Sequence, residues 1–483
     1  MKKILLLIFL NSILFSKQIS IEQVRTVSAN FIFSKTNENI SIKSIDVFEK
    51  NNLEIFHIIN LYPKGFILVS SDNRVKPILG FSFKNNFKTE DMPSNLNWLL
   101  DQYYKGLELS IESFDEPSIE TKNQWIYYLD DNHYNRLRED EVGPLLTAEF
   151  DQGTPWNDMC PENVLGSGGN VYAGCVAVAM AQVMHYWEYP STGTGSHSYS
   201  DWPYGTISAD FEDAFYDFEN MSPTTATEES QELLFHSGVA VEMDYGTVLA
   251  GGSGAFLYSH DYNAKDALIN NFNYNENILV RFKDSYDVTT DFEDILKNEI
   301  YEGRPIIYGG CGDGDWFADD GCHAFNIDGY VSDSENTTLF HCNWGWGGNS
   351  NGNFSLSNLD PTWDPAGIDF SNFNSGQVAL IGIQPKIEGC MDFEAVNYDE
   401  SAEISCYNCC DYCEDGTILD IVIVPDNNPD EIEWMLCQNL YGTGIIGADC
   451  WFAYGIDEEG SVGDDVCLRE PAAYGFAIYD TGF

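Results

Sequence analysis

The stretch Tyr172-Ala-Gly-Cys-Val-Ala-Val-Ala-Met-Ala-Gln-Val-Met-His-Tyr-Trp187 decides how this chain is read. Gly174 breaks the backbone, and Cys175 then opens an apolar helical run rich in small residues. A thiol at a helix start sits beside unsatisfied backbone N–H groups and the positive end of the helix dipole. Both favour the thiolate, which is the nucleophilic form. Ala177, Ala179 and Ala181 allow such a helix to lie deep against another lobe. Taken alone, a cysteine of this kind is more often an inert buried residue or half of a disulfide.

Three further islands change that balance. Gly321-Cys-His-Ala-Phe-Asn-Ile-Asp-Gly-Tyr330 puts His323 at the head of an alternating, strand-like run, and a strand holds an imidazole rigidly enough to exchange a proton with the thiol. His341 is the rival, but it lies in the middle of another strand-like run, Thr338-Leu-Phe-His-Cys-Asn343. The turn Asn343-Trp-Gly-Trp-Gly-Gly-Asn-Ser-Asn-Gly352 supplies Asn343 and Trp344, which can orient the imidazole and shield it from water, as the third group of a nucleophilic triad does. Upstream, Phe150-Asp-Gln-Gly-Thr-Pro-Trp-Asn157 offers Gln152, whose amide can donate to an oxyanion beside the Cys175 backbone N–H.

The rest of the chain bounds the answer. Seventy-seven acidic against 23 basic residues give 483 residues a formal charge of −54. That balance speaks against nucleic-acid partners and anionic lipid surfaces. The 43% hydrophobic content excludes a disordered acidic tail. Met1-Lys-Lys followed by ILLLIFLNSILF reads as a signal peptide over residues 1–16, and no later run is apolar enough for a membrane span. Export fits the thirteen cysteines. None precedes Cys160, five lie between Cys160 and Cys342, and eight follow from Cys390. The even C-terminal set can pair within itself, which leaves an unpaired thiol in the middle.

Residues 17–140 read as a small α+β unit. Ser20-Ile-Glu-Gln23 is a capping box ahead of Val24, Val27 and Phe31. Phe56–Leu61 and Gly65–Ser70 form a hairpin, and Leu96, Leu99, Leu100, Tyr103, Tyr104 and Leu107 form a helical core stripe. Asp130 to Glu141 reads as an accessible linker open to proteolysis. A long central segment, residues 141–386, carries the four islands.

Five pieces in order resemble the streptopain family of bacterial cysteine peptidases, distant relatives of papain: Asp151-Gln-Gly-Thr-Pro155, Gly174-Cys-Val-Ala177 with Ala181-Gln-Val-Met184, Val241-Glu-Met-Asp-Tyr-Gly246, His323-Ala-Phe-Asn-Ile-Asp-Gly329 and Asn343-Trp-Gly-Trp-Gly-Gly348. Gly65–Gly80 is similar to the family's inhibitory propeptide, and Gly382-Ile-Gln-Pro385 to the end of its catalytic domain. The resemblance implies an α+β fold: a papain-like two-lobe cysteine peptidase domain behind a small α+β propeptide domain. It implies a zymogen that hydrolyses peptide bonds through a thioester acyl-enzyme, with no catalytic cofactor. Protein or peptide substrates and the chain's own propeptide would be the partners. Carried over, Cys175 is the nucleophile, His323 the base and later the acid, Gln152 the oxyanion donor, and Asn343 and Trp344 orient or shield His323. Cys322 beside the base departs from the pattern; a disulfide to Cys311 is the preferred explanation.

Beyond the peptidase segment, residues 387–416 resemble short calcium-associated modules of secreted bacterial proteins, with Asp392, Asn397, Asp399 and Glu400 as hard oxygen donors. Cys406, Cys409, Cys410 and Cys413 have zinc-like spacing, although outside the cell disulfides are the stronger expectation. Residues 417–483 resemble a small β-sandwich module that binds or sorts, and are read as stopping short of its final strands. Two other functions remain open at this level. One is an inert peptidase-like adhesin; the other is a transglutaminase or amidase built on the same Cys–His pair. The expected location is the exterior or surface of a bacterium.

Overall fold

A computed structural model describes residues 18–36, 39–90, 92, 94–112, 117–130, 140–247, 252–283, 289–310, 323–332, 338–356, 377–393, 395–406 and 409–410, together with five strand backbones between 416 and 480. The proposed Cys311–Cys322 disulfide, the signal peptide and most of the 130–141 linker lie outside the described residues. The chain divides into two compact units, residues 1–385 and 386–483.

The first unit opens with helix α1 (Ile21–Lys35) and strands β1 (Ser41–Lys50), β2 (Leu53–Tyr62), β3 (Phe66–Ser70) and β4 (Ile78–Ser82), then α2 (Ser94–Glu112) and α3 (Ile119–Leu129). The capping box forms as read: the Ser20 side chain accepts from Gln23 N–H, and the Gln23 side chain accepts from Ser20 N–H. Strands β1 to β4 pair as an antiparallel meander. The six-residue stripe on α2 is buried throughout.

The same unit continues through β5 (Asp140–Val142), β6 (Glu162–Ser167), α4 (Cys175–Trp187), β7 (Ser196–Asp201), β8 (Gly205–Asp210), α5 (Glu228–Ala240), α6 (Ala264–Asn270) and β9 (Leu279–Phe282). Next come α7 (Thr289–Tyr301), β10 (Ile306–Gly310), β11 (His323–Ser332), β12 (Thr338–Asn343), β13 (Gly352–Phe354) and β14 (Val378–Ile381). One sheet runs in the order β1-β2-β3-β4-β13-β12-β11-β10-β14-β9. The N-terminal meander thus extends the sheet of the central segment edge to edge, with Asn353 opposite Phe81 and Phe354 opposite Gly80. The seam needs small residues. A Cβ on Gly80 would stand 2.9 Å from the Asn353 carbonyl oxygen, and one on Gly352 would stand 2.7 Å from that of Phe81.

Two cores sit on opposite faces of this sheet. One surrounds α4, whose residues from Val176 to Met184 are all buried, and includes Phe211, Leu233, Leu234 and Phe272. A helix apolar on every side belongs inside a domain, and α4 obeys that rule. The other core gathers the α2 stripe with Leu296, Phe325, Trp344 and Phe354. The second core is therefore shared between the N-terminal unit and the strands of the central segment. A third cluster packs Val24, Val27 and Phe31 of α1 on Ile59, Ile67 and Trp125.

The linker reading needs one correction. Residues 140–142 are not free chain: β5 pairs antiparallel with Tyr330, Val331 and Ser332 of β11. Strand β10 covers β11 only as far as Ile327, so the backbone edge beyond it takes β5 instead.

In the second unit, β15 (Glu388–Gly389) and β16 (Ile404–Ser405) form a short parallel pair. Disulfides join Cys390 to Cys410 and Cys406 to Cys409. Strands β17 (Gly416–Leu419), β18 (Ile432–Asn439), β19 (Asp449–Tyr454), β20 (Val466–Arg469) and β21 (Ala473–Asp480) follow. β18 is flanked by β19 and β21, while β17 pairs with β20, all antiparallel.

Candidate active site

Cys175 is the first residue of α4, as the sequence led one to expect, and Gly174 ahead of it adopts φ +92°. Only glycine takes that conformation without strain. A Cβ at this position would also meet the end of the Met243 side chain at 2.6 Å, which would have to move aside. His323 is the first residue of β11. The helix start and the strand head meet: the backbone N–H of Ala324, next to His323, donates to Cys175 Sγ at 3.4 Å. The sulfur also faces the N–H groups of Val176 and of Cys175 itself.

Burial dominates the electrostatics of both groups. It pushes the Cys175 thiol above its ordinary pKa, against the opposing pull of those backbone N–H donors. It lowers the His323 imidazole from 6.5 to about 4. Both groups are therefore held toward their neutral forms, because a dry site disfavours charge on either.

Gln152 lies one loop upstream and is buried; its carbonyl accepts Ala173 N–H at 2.9 Å, which ties its loop to the turn before Cys175. Among the described residues its carboxamide has no partner within the protein. Asn343 behaves otherwise. Its Nδ2 donates to the Ala148 carbonyl at 2.7 Å and its Oδ1 accepts Gly345 N–H at 3.2 Å, so both ends of the amide are committed away from His323. Trp344 is fully buried; its Nε1 donates to Ser350 O at 3.0 Å and its ring lies 4.7 Å from that of Phe325. The rival His341 is occupied elsewhere: its Nδ1 lies 2.6 Å from Oδ1 of the buried Asp328. That pair is opposite Gly329, five positions along β11 from Ala324 and about 16 Å away.

Several participants carried no obvious signal in the sequence. Asn95 of α2 donates its Nδ2 to Ala324 O at 3.2 Å and to Trp344 O at 2.7 Å, bridging the residues that follow His323 and Asn343. Trp98, one helical turn on, covers Gly310, the residue that pairs with His323 across β10 and β11. Asp151 is half-buried next to Gln152, and desolvation raises its carboxyl against N–H bonds from Gly153 and Gln152 and the charge of Lys88. Only the pairing of chemistry-bearing residues hundreds of positions apart reveals these roles.

The N-terminal unit is thus packed on the β10–β11 end that carries His323. Comparison with known proteins agrees. The profile of the peptidase C10 family matches residues 150–354, and that of the Spi protease inhibitor matches residues 16–106. The chain belongs to the peptidase C10 family. Streptopain of Streptococcus pyogenes is 28% identical over 378 residues, which cover 73% of this chain and 86% of that protein. The thiol protease/hemagglutinin PrtT of Porphyromonas gingivalis is 31% identical over 68% of this chain, but the match spans only 37% of PrtT's length. A cysteine-to-alanine variant of Prevotella intermedia prointerpain A superposes with a TM-score of 0.54 at 26% identity, covering 71% of this chain and all of that one. This C10 chain is a cysteine-type peptidase with its inhibitor domain in place, and the chemistry of its family requires no cofactor.

In the second unit, Asp392, Asp399 and Glu400 do not converge. Among the described residues the one cluster of potential metal donors within 4.8 Å is Cys406, Cys409 and Cys410, and those sulfurs are bonded in the two disulfides. Asn397 donates to Cys409 O at 2.8 Å, and Asp399 accepts from Ser401 N–H at 2.8 Å. No helix among the described residues is long and apolar enough to cross a membrane.

Proposed function

We propose that this chain is an exported endopeptidase precursor in which Cys175 attacks the scissile carbonyl and His323 handles the protons. The Cys175 thiolate adds to the carbonyl carbon, His323 protonates the departing amine, and a thioester remains. His323 then takes a proton from water, which displaces the thiol and releases the acid. Gln152 and the Cys175 backbone N–H receive the oxyanion. Trp344 walls the site, and Asn343 holds the strand end by fixing it to Ala148. The single observation behind this reading is the bond from Ala324 N–H to Cys175 Sγ at 3.4 Å, which brings the start of α4 to the head of β11, next to His323.

The test is casein cleavage by processed protein, with and without iodoacetamide pretreatment. Cleavage abolished by the alkylator is expected; cleavage indifferent to it would remove the proposal. A Cys175→Ser chain should accumulate at full length, and normal trimming would assign processing to another protease. The lysine-led apolar N-terminus and the disulfides support export to a bacterial exterior.

We also propose that Asp392, Asn397, Asp399 and Glu400 take one calcium ion, whose binding would draw these oxygens together. Hydrogen bonds from Ser401 hold the Asp399 carboxyl below its ordinary range, keeping it ionised for such a role. Calorimetric titration of calcium chloride into chelator-treated protein should show one site per chain, and a flat titration would end the idea.

A further inference from the structure

The family motifs contain two buried amides that the chemistry above leaves without a task, Gln182 on α4 and Asn326 on β11. Neither side chain is exposed at all. They are bonded to each other, with Gln182 Nε2 donating to Asn326 Oδ1 at 2.8 Å. Gln182 Oε1 accepts the backbone N–H of Phe150 at 3.1 Å. Asn326 Nδ2 donates to Ala179 O at 3.1 Å and toward Ile306 O at 3.5 Å. Four segments therefore converge on one pair of side chains: the Phe150–Gln152 loop, helix α4, strand β10 and strand β11.

The node is placed where it governs the site without touching it. Cys175, Ala179 and Gln182 follow the i, i+4, i+7 spacing that shares one helix face, and seven residues of rise put Gln182 about 10 Å behind Cys175. Asn326 lies three strand residues, also about 10 Å, behind His323. Phe150 is two residues from Gln152. Nucleophile, base and oxyanion donor thus each extend from the same fixed point.

We propose that Gln182 and Asn326 are positioning residues that set the mutual geometry of Cys175, His323 and Gln152. The proposal rests on the reading of those three as the reacting groups. Buried amides have few alternatives to these bonds, since an unpaired one is costly in a dry interior. The loop, helix and strands are therefore held to one arrangement instead of several, and a misplacement of about 1 Å can lower turnover about a hundredfold.

The experiment compares wild type, Gln182→Met and Gln182→Glu, all processed, with a peptide substrate and with iodoacetamide labelling of Cys175 as a second readout. Gln182→Met fills the space but returns neither bond. It should lose at least about tenfold in kcat with KM within about threefold, and its labelling-rate profile should move along the pH axis. Gln182→Glu is the rescue: a protonated carboxyl accepts from Phe150 and donates to Asn326, and burial keeps such a carboxyl protonated to higher pH than usual. Its activity relative to wild type should approach one at mildly acidic pH and fall as pH rises. Folded Gln182→Met with wild-type kcat, a loss confined to KM, or a pH-independent Gln182→Glu ratio would each overturn the proposal. Should Gln182→Met fail to fold, the Gln182→Glu ratio alone decides. A wild-type chain that leaves casein intact would instead strike the peptidase reading, and Cys175 labelling still reports on the geometry.

Discussion

Cys175 and His323 are held neutral here by burial, the thiol pushed up and the imidazole down to about 4. An exposed mature cleft would relieve that desolvation, while the helix-start N–H groups at the sulfur would remain. Gln152 is the residue whose part can be isolated most cleanly, because its carboxamide is not spent on the fold. Replacing Gln152 by Ala should lower kcat about 10²–10³-fold, the usual loss for one oxyanion donor, with KM little changed. Steady-state kinetics on the processed variant checks this, and a fall in KM affinity with intact kcat would make Gln152 a substrate-binding residue instead. Residue types and order point to Cys175, His323 and Gln152 as the reacting groups, and the start of α4 and the head of β11 fall where that reading puts them. The fate of the Asn343 amide was not legible. Nothing local to an Asn-Trp-Gly turn tells whether its carboxamide turns to an imidazole or to the Ala148 carbonyl, 195 positions away.

Elements written by local rules were legible: the Ser20 cap, the β2–β3 hairpin, the α2 stripe and the start of α4 at Cys175. Strand β5 was not, because Asp140-Glu-Val142 has no alternation, and what holds it is backbone pairing with β11 and a bond from the Tyr330 hydroxyl to Asp140, 190 positions away. The docking of α2 was equally hidden, since its buried stripe says that it packs but not on what. Its hold on the site centres on Trp98 and Asn95. The nearest atoms to a Cβ on Gly310 all belong to the Trp98 ring, at 2.3–2.5 Å. Gly310→Ala should therefore push the propeptide helix off the β10–β11 end. The variant precursor should show higher activity before processing and faster self-cleavage than wild type, with mature kcat/KM within about twofold. Progress curves on fresh precursor measure the first two, and a variant as latent as wild type would mean that Trp98 is not part of the inhibitory contact.

At the scale of the molecule, a charge of −54 repels itself, and salt relieves that repulsion. Acidification protonates carboxylates and relieves it too, yet buried histidines oppose this gain. His236 is buried on α5 with its Nδ1 2.9 Å from the Tyr216 hydroxyl, and burial lowers its pKa from 6.5 to about 4, with Asp210 opposing. Between those values the unfolded chain binds the proton that the folded chain refuses. The stability contributed by neutral His236 is therefore complete above about pH 6.5 and is lost as pH falls toward 4. At about 1.4 kcal/mol per pKa unit, the whole window is worth about 3 kcal/mol. Asp151 and Glu293, with raised carboxyl values, shift stability the other way, so the histidine must be isolated by difference. Thermal midpoints of a Cys175→Ser precursor, with and without His236→Gln, should be compared from pH 7.5 to 4.5 at one ionic strength. Glutamine keeps a polar partner for Tyr216 but cannot titrate. The His236 chain should lose more of its midpoint on acidification than the His236→Gln chain, with the two curves converging as pH falls. Parallel curves would mean that His236 takes up its proton in the folded protein as readily as in the unfolded one, and that the acid sensitivity of this fold lies elsewhere.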